Sequence, residues 1–161
     1  MTATSRQMIP TLLDRLLDGA PSQPHDPGPG HRCTLDDYRA SVVRDLEMLV
    51  NTRQDLLAAQ LDAWPGLQGS LLEYGLPDFT SRGLNCADER RRIRRELERT
   101  IECGDRRFSG VHVSLADFEH GDRILRFRIK ALLTLSEADE QVAFDAVLQV
   151  STRRYTVRTL R

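Results

Sequence analysis

The chain has 161 residues, 29% of them charged, with a net charge of −1. Its mean hydropathy is −0.43, which fits a soluble chain of single-domain size and argues against general attraction to nucleic acid or to a membrane surface. No apolar run approaches the ~20 residues that cross a bilayer, and no signal-peptide core follows Met1–Arg6, so a cytoplasmic location is expected.

Residues 1–10 carry no pattern and are expected to fray. Thr11–Asp18 places leucines at Leu12, Leu13, Leu16 and Leu17, which predicts one short amphipathic helix ended by Gly19. Such a helix is too short to stand alone in water, so it must dock on its own domain or on a partner. Ala20–Arg32 holds Pro21, Pro24, Pro27 and Pro29 among glycines and reads as a flexible tether. The division expected is therefore 1–33, a short helix with a Pro/Gly linker, and 34–161, a single domain.

Thr34 and Asp37 form an approximate capping box. Leu35, Tyr38, Val42, Leu46 and Leu49 then make one apolar stripe at helical spacing, ending near Asn51 or Thr52. Gln54–Leu61 can add a further turn. Gly66-Leu67-Gln68-Gly69 has the outline of an RNA-clamping loop but no basic residue, so it carries little weight. Ser70 is placed to cap a short helix through Tyr74, closed by Gly75. Leu76–Phe79 reads as a turn.

Asn85 is placed to cap a long arginine-rich helix, with Asp88 and Glu89 in its first turn. Ile93, Leu97 and Ile101 form a narrow apolar stripe with Thr100 beside it. Arg92–Glu96 and Arg94–Glu98 are spaced as i,i+4 ion pairs. The bland reading is a solvated, self-paired face; the sharper one is a docking surface for an acidic or polar partner. After a corner at Cys103–Phe108, strands follow at Phe108–Leu115, Ile124–Leu135, Val142–Val150 and Arg154–Arg158, alternating apolar and polar residues. A hairpin turn is expected through Glu137–Glu140. The fold class is α+β, with helices packed on one face of a small mixed or antiparallel sheet. The other face is basic or exposed.

Motifs for chemistry are missing. The sequence shows no phosphate loop, no HExxH helix and no Cys-x-x-Cys pair, so no catalytic, cofactor or metal residue is assigned and no small-molecule substrate is expected. Cys33, Cys86 and Cys103 are an odd count. Cys86 and Cys103 are separated by roughly 25 Å of helix, too far for a disulfide. His112 and His120 read as strand-face and loop residues. Glu47, Glu73 and Glu102 are the carboxylates that a glycosidase reading would have to use, and nothing in the sequence marks one as desolvated.

Two stretches carry a resemblance. Val43-Arg44-Asp45-Leu46-Glu47-Met48-Leu49-Val50-Asn51-Thr52-Arg53, followed by Leu71-Leu72-Glu73-Tyr74-Gly75-Leu76-Pro77-Asp78, resembles the TssE family of type VI secretion baseplate proteins, related to a wedge protein of contractile phages. The leucine motif at Leu12–Leu17 also matches. The resemblance implies a sheath-subunit-like domain without catalysis or cofactor, working at the inner face of the cytoplasmic membrane without inserting into it. It implies wedge proteins and sheath subunits as partners, with strand addition at a sheet edge as the physical means, and no nucleic acid. The alternative, from the word lysozyme in some family names, is a lysozyme-like peptidoglycan hydrolase. The family's Glu-Pro-Arg motif falls on Asp105-Arg106-Arg107, where the carboxylate is shorter and the proline is absent, while Arg107 keeps the arginine. The residues expected at a partner interface are Leu12, Leu13, Leu16, Leu17, Asp105 and Arg107.

Overall fold

The computed structural model describes residues 10–17, 22, 33–54, 61, 63–78, 86–119, 124–134, 139–149 and 154–160. Residues Met1–Arg44 and Asp45–Arg161 form two compact units. In the first unit, helix α1 (Leu12–Leu16) is opened by a capping box between Thr11 and Asp14. Helix α2 (Leu35–Asn51) begins on the same device. Asp37 N–H donates to Thr34 Oγ1 at 3.2 Å, and Asp37 Oδ2 accepts from the Thr34 N–H at 3.2 Å. These boxes satisfy orphan donors that would otherwise face water. Helix α1 is shorter than expected, because Leu17 turns extended at its end. Gly19 and, Ser22 apart, the linker Ala20–Arg32 lie outside the described residues. The α2 stripe forms as predicted, with Tyr38, Val42, Leu46 and Leu49 buried.

In the second unit, the last residues of α2 are closed by their own side chains. Asn51 Nδ2 donates to the Glu47 carbonyl and Thr52 Oγ1 to the Met48 carbonyl, both at 2.8 Å. Most of the extra turn expected at Gln54–Leu61 lies outside the described residues. Ser70 caps a 3-10 turn, Leu71–Glu73, through the Leu72 N–H. Gly75 then takes φ +101°, and a Cβ there would sit 2.5 Å from the Thr52 carbonyl oxygen. Only glycine accepts both the dihedral and the close approach.

Helix α3 (Ala87–Gly104) starts from Cys86, which makes no side-chain cap; Asn85 lies outside the described residues. Its buried side is Ile93, Leu97, Thr100 and Ile101, as the sequence predicts. The expected ion pairs Arg92–Glu96 and Arg94–Glu98 do not form among the described residues. Glu98 instead accepts the Val113 N–H at 2.9 Å, because a strand edge offers a donor that water does not compete for.

Four strands follow: β1 (Phe108–Glu119), β2 (Ile124–Thr134), β3 (Asp139–Gln149) and β4 (Arg154–Thr159). They form one antiparallel sheet in the order β1-β2-β3-β4. Strand β1 is longer than the alternation suggested, because its register slips between Ser109 and His112 and again between Leu115 and Asp117. Each slip is a bulge that breaks strict period two. Strands β2 and β3 pair without interruption from Ile124↔Gln149 to Thr134↔Asp139. The tip of that hairpin, 135–138, lies outside the described residues. The inward rows are Leu125, Phe127, Ile129, Ala131 and Leu133, then Val142, Phe144, Ala146 and Leu148, then Tyr155 and Val157, all buried. Burying one such large side chain contributes about 1.5–3 kcal/mol. Phe108 meets Phe144 edge to face, with centroids 6.0 Å apart. Arg126, Arg128 and Lys130 lie on the exposed face. The architecture is α+β with an antiparallel sheet.

Candidate assembly site

Both edge strands of the sheet are occupied by helix side chains. On β1, the Val111 N–H donates to Glu102 Oε1 and the Val113 N–H to Glu98 Oε1, each at 2.9 Å. On β4, the Tyr155 N–H donates to Asn51 Oδ1 at 2.9 Å and the Val157 N–H to Glu47 Oε2 at 3.0 Å. Asn51 Nδ2 returns a bond to the Tyr155 carbonyl at 2.9 Å. The two edges use one geometry. Helix residues four apart face the same way, and N–H groups two apart on a strand point to the same side. A carboxylate that takes an edge N–H leaves fewer free groups for uncontrolled pairing. Sequence reading missed these caps. The available signal was Glu47/Asn51 and Glu98/Glu102, each a pair of acceptors at i,i+4.

The corner after α3 is closed by Arg107. Its Nε donates to Asp105 Oδ1 at 2.9 Å and to Oδ2 at 3.0 Å, and its Nη2 donates to Asp105 Oδ2 at 2.5 Å. The same Nη2 donates to Asp45 Oδ2 at 2.8 Å. Burial works against the charge on Arg107. The hydrogen bonds and charges of Asp105, then of Asp45, outweigh it and hold its pKa above the ordinary arginine value. Nη1 is enclosed, with no acceptor among the described residues. Asp105 and Arg107, both expected at a partner interface, are thus bonded to each other. Asp45, from α2, completes the corner and was not foreseen.

In helix α1 the polar residue faces inward and the leucines face out. Asp14 accepts from Ser41 Oγ at 2.7 Å and pairs with Arg44 at 2.7 Å. Burial pushes its carboxyl up, but bonds from Thr11, Ser41 and Arg44 bring it down to about 2. No α1 residue is buried. Leu12 and Leu16 are each 72% exposed and Leu17 is 53% exposed, while Leu13 is half-buried.

The carboxylates required by a hydrolase reading are dispersed and engaged. Glu47 and Glu102 bond opposite edge strands, roughly 14 Å apart at ~4.8 Å per strand. A glycosidase pair stands about 5–10 Å apart. Glu73 accepts from the Gly69 N–H at 2.6 Å and from Arg99 at 3.1 Å. It lines a shallow recess with Gln54, Glu96, Arg99, Thr100 and Cys103. Among the described residues no group of three or more His, Cys, Asp or Glu is placed to hold a metal. None of the three cysteines is in a disulfide, and burial pushes the Cys33 thiol up, away from reactivity.

The stretches on either side of the Gly66 loop are stitched together. Arg53 bridges Leu76 in parallel. The Leu76 N–H donates to the Thr52 carbonyl at 2.8 Å and the Gln54 N–H to the Leu76 carbonyl at 2.9 Å. Arg53 pairs with Asp78 at 3.0 Å. The family model described as baseplate wedge protein gp25 matches residues 36–138, which takes in these stretches, the Arg107 corner and the first hairpin. No curated protein and no solved structure matches the chain. With more than half of its length inside that match, the chain belongs to the baseplate wedge protein gp25 family, which includes TssE and has a structural role in baseplates.

Proposed function

We propose that this protein is the TssE-type subunit of a type VI secretion baseplate, acting without catalysis. The observation that carries the reading is the family match over residues 36–138, and the outward leucines of α1 support it. In this reading residues 1–33 are a tethered docking element and residues 34–161 the baseplate domain. The protein works in the cytoplasm, at the inner face of the membrane. Among the described residues no helix is long and apolar enough to cross a bilayer. Leu12, Leu13, Leu16 and Leu17 enter a groove on a wedge partner, where apolar anchors at i, i+4 spacing are the usual means of helix docking. Asp105 and Arg107 support the interface by fixing the corner between α3 and β1.

Sheath subunits join by strand addition to the sheet. Caps occupy the N–H groups of Val111 and Val113 on β1 and of Tyr155 and Val157 on β4. Strand β1 continues to Glu119. The distal half of β1, past the two capped N–H groups, is the favoured place for a sheath strand. Affinity purification with the tagged protein tests the reading. Wedge and sheath proteins are expected to be retained, with retention lost in Leu12→Asp/Leu16→Asp. A folded bait that retains no baseplate component would sink it.

A further inference from the structure

We propose that the outward face of α3 is a docking surface for a carboxylate-rich helical segment of a partner protein. Arg91, Arg92, Arg95 and Arg99 are all exposed. Their spacing of three and four places them on one side of the helix, away from the buried Ile93, Leu97 and Ile101. An arginine-rich helix is commonly neutralised by its own acids, and here two of the five acids of α3 are drawn away to the sheet. Glu98 and Glu102 are bonded to the β1 edge. Asp88 pairs with Arg91, and Glu73 with Arg99. Arg92 and Arg95, between them, have no ion pair among the described residues. Like charges at this spacing repel one another, and an incoming carboxylate relieves that repulsion. The guanidinium fork takes a carboxylate through two parallel bonds.

The chemistry favours a protein over a nucleic acid. Asp88 lies beside Arg91 at one end of the row and would face a phosphate backbone. The exposed positions of α3 carry no aromatic side chain on which a base could stack. The chain as a whole has a net charge of −1, which gives little long-range attraction for a polyanion. A helix with glutamates at i,i+4 repeats at ~6 Å and can match the arginine row.

The inference rests on the assembly reading only in taking the partner to be a protein, and its test uses no baseplate component. The probe is a fluorescein-labelled helical peptide with Glu at i,i+4, followed by fluorescence anisotropy. The wild-type chain is expected to bind it. Arg92→Glu/Arg95→Glu is expected to weaken binding by about tenfold, and Arg154→Glu on β4 by less than about twofold. About 0.5 M NaCl should abolish the signal, because exposed pairs are screened. If the charge reversal disturbs the fold by circular dichroism, Arg92→Gln/Arg95→Gln replaces it with the same expected direction. Absence of wild-type binding, equal weakening by Arg154→Glu, or tighter binding to duplex DNA than to the peptide would each overturn the inference. Failure of the affinity purification with the peptide result intact would count against the baseplate assignment alone.

Discussion

Replacing Arg107 with methionine keeps much of the side-chain volume and removes the charge. The wild-type group is 21% exposed, between Asp45 at 20% and Asp105 at 15%, so screening is partial. Oδ2 of each acid is bonded to the same Nη2, which keeps the two oxygens within roughly 5 Å of each other. Two anions at that distance repel by about 3 kcal/mol at an effective dielectric of 20, and solvent at the partly exposed site reduces this. The lost charge-assisted hydrogen bonds contribute about 1.5–3 kcal/mol. Arg107→Met is therefore expected to cost about 3 kcal/mol in urea unfolding, with the midpoint lowered and the slope unchanged. Asp45→Asn in the Arg107→Met background should recover part of that loss by removing the repulsion. The double-mutant cycle should give a coupling of at least about 1 kcal/mol. A cost for Arg107→Met below about 0.5 kcal/mol, or a coupling indistinguishable from zero, would refute the view that this corner is held electrostatically. If Arg107→Met folds normally but retains no wedge protein, the arginine acts at the interface instead.

Other expectations follow from the same contacts. Gly75→Ala combines positive φ with a Cβ 2.5 Å from a backbone oxygen, so thermal melting should show a loss above about 2 kcal/mol. Glu98→Ala/Glu102→Ala strips the β1 edge of its caps. It should cost about 1–3 kcal/mol per stranded N–H and produce concentration-dependent self-association by light scattering. The Asp14 carboxyl is held near 2, below its ordinary 3.8. Because its folded pKa is lowered, its stabilisation is present above about pH 4 and is lost as pH falls toward 2. Screening limits it to about 1–2 kcal/mol. Amide exchange in α1 should speed up over that window, and Asp14→Asn should flatten the response.

Periodicity and caps were legible in the sequence because they depend on neighbours a few residues apart. The T-x-x-D box of Thr34, the α2 and α3 stripes, and the inward rows of β2 and β3 are local patterns, and the fold follows them. The leucines of α1 were also visible, and Asp105 and Arg107 stood out at one corner, though their bond to each other was not foreseen. The bulges in β1 were not legible, since each is a property of the ladder with β2 rather than of the strand. The identity of each carboxylate's partner was not legible either. On the sequence, Glu98 had Arg94 four residues away, and nothing local said that it would turn to Val113.

The sequence by itself therefore determined the helices, the strands and the apolar faces they bury, because each rests on the spacing of side chains along one element. Tertiary structure alone decided where the polar groups ended up. Asp45 reaches Arg107 across 62 positions and Glu47 reaches Val157 across 110. A hydrogen bond depends on where two groups meet in space, and that meeting exists only once the sheet and helices have closed. The exposed arginine row of α3 is the clearest case. Its residues could be counted from the sequence, but only the tertiary structure drew Glu98 and Glu102 to the strand edge, while Arg92 and Arg95 have no ion pair among the described residues.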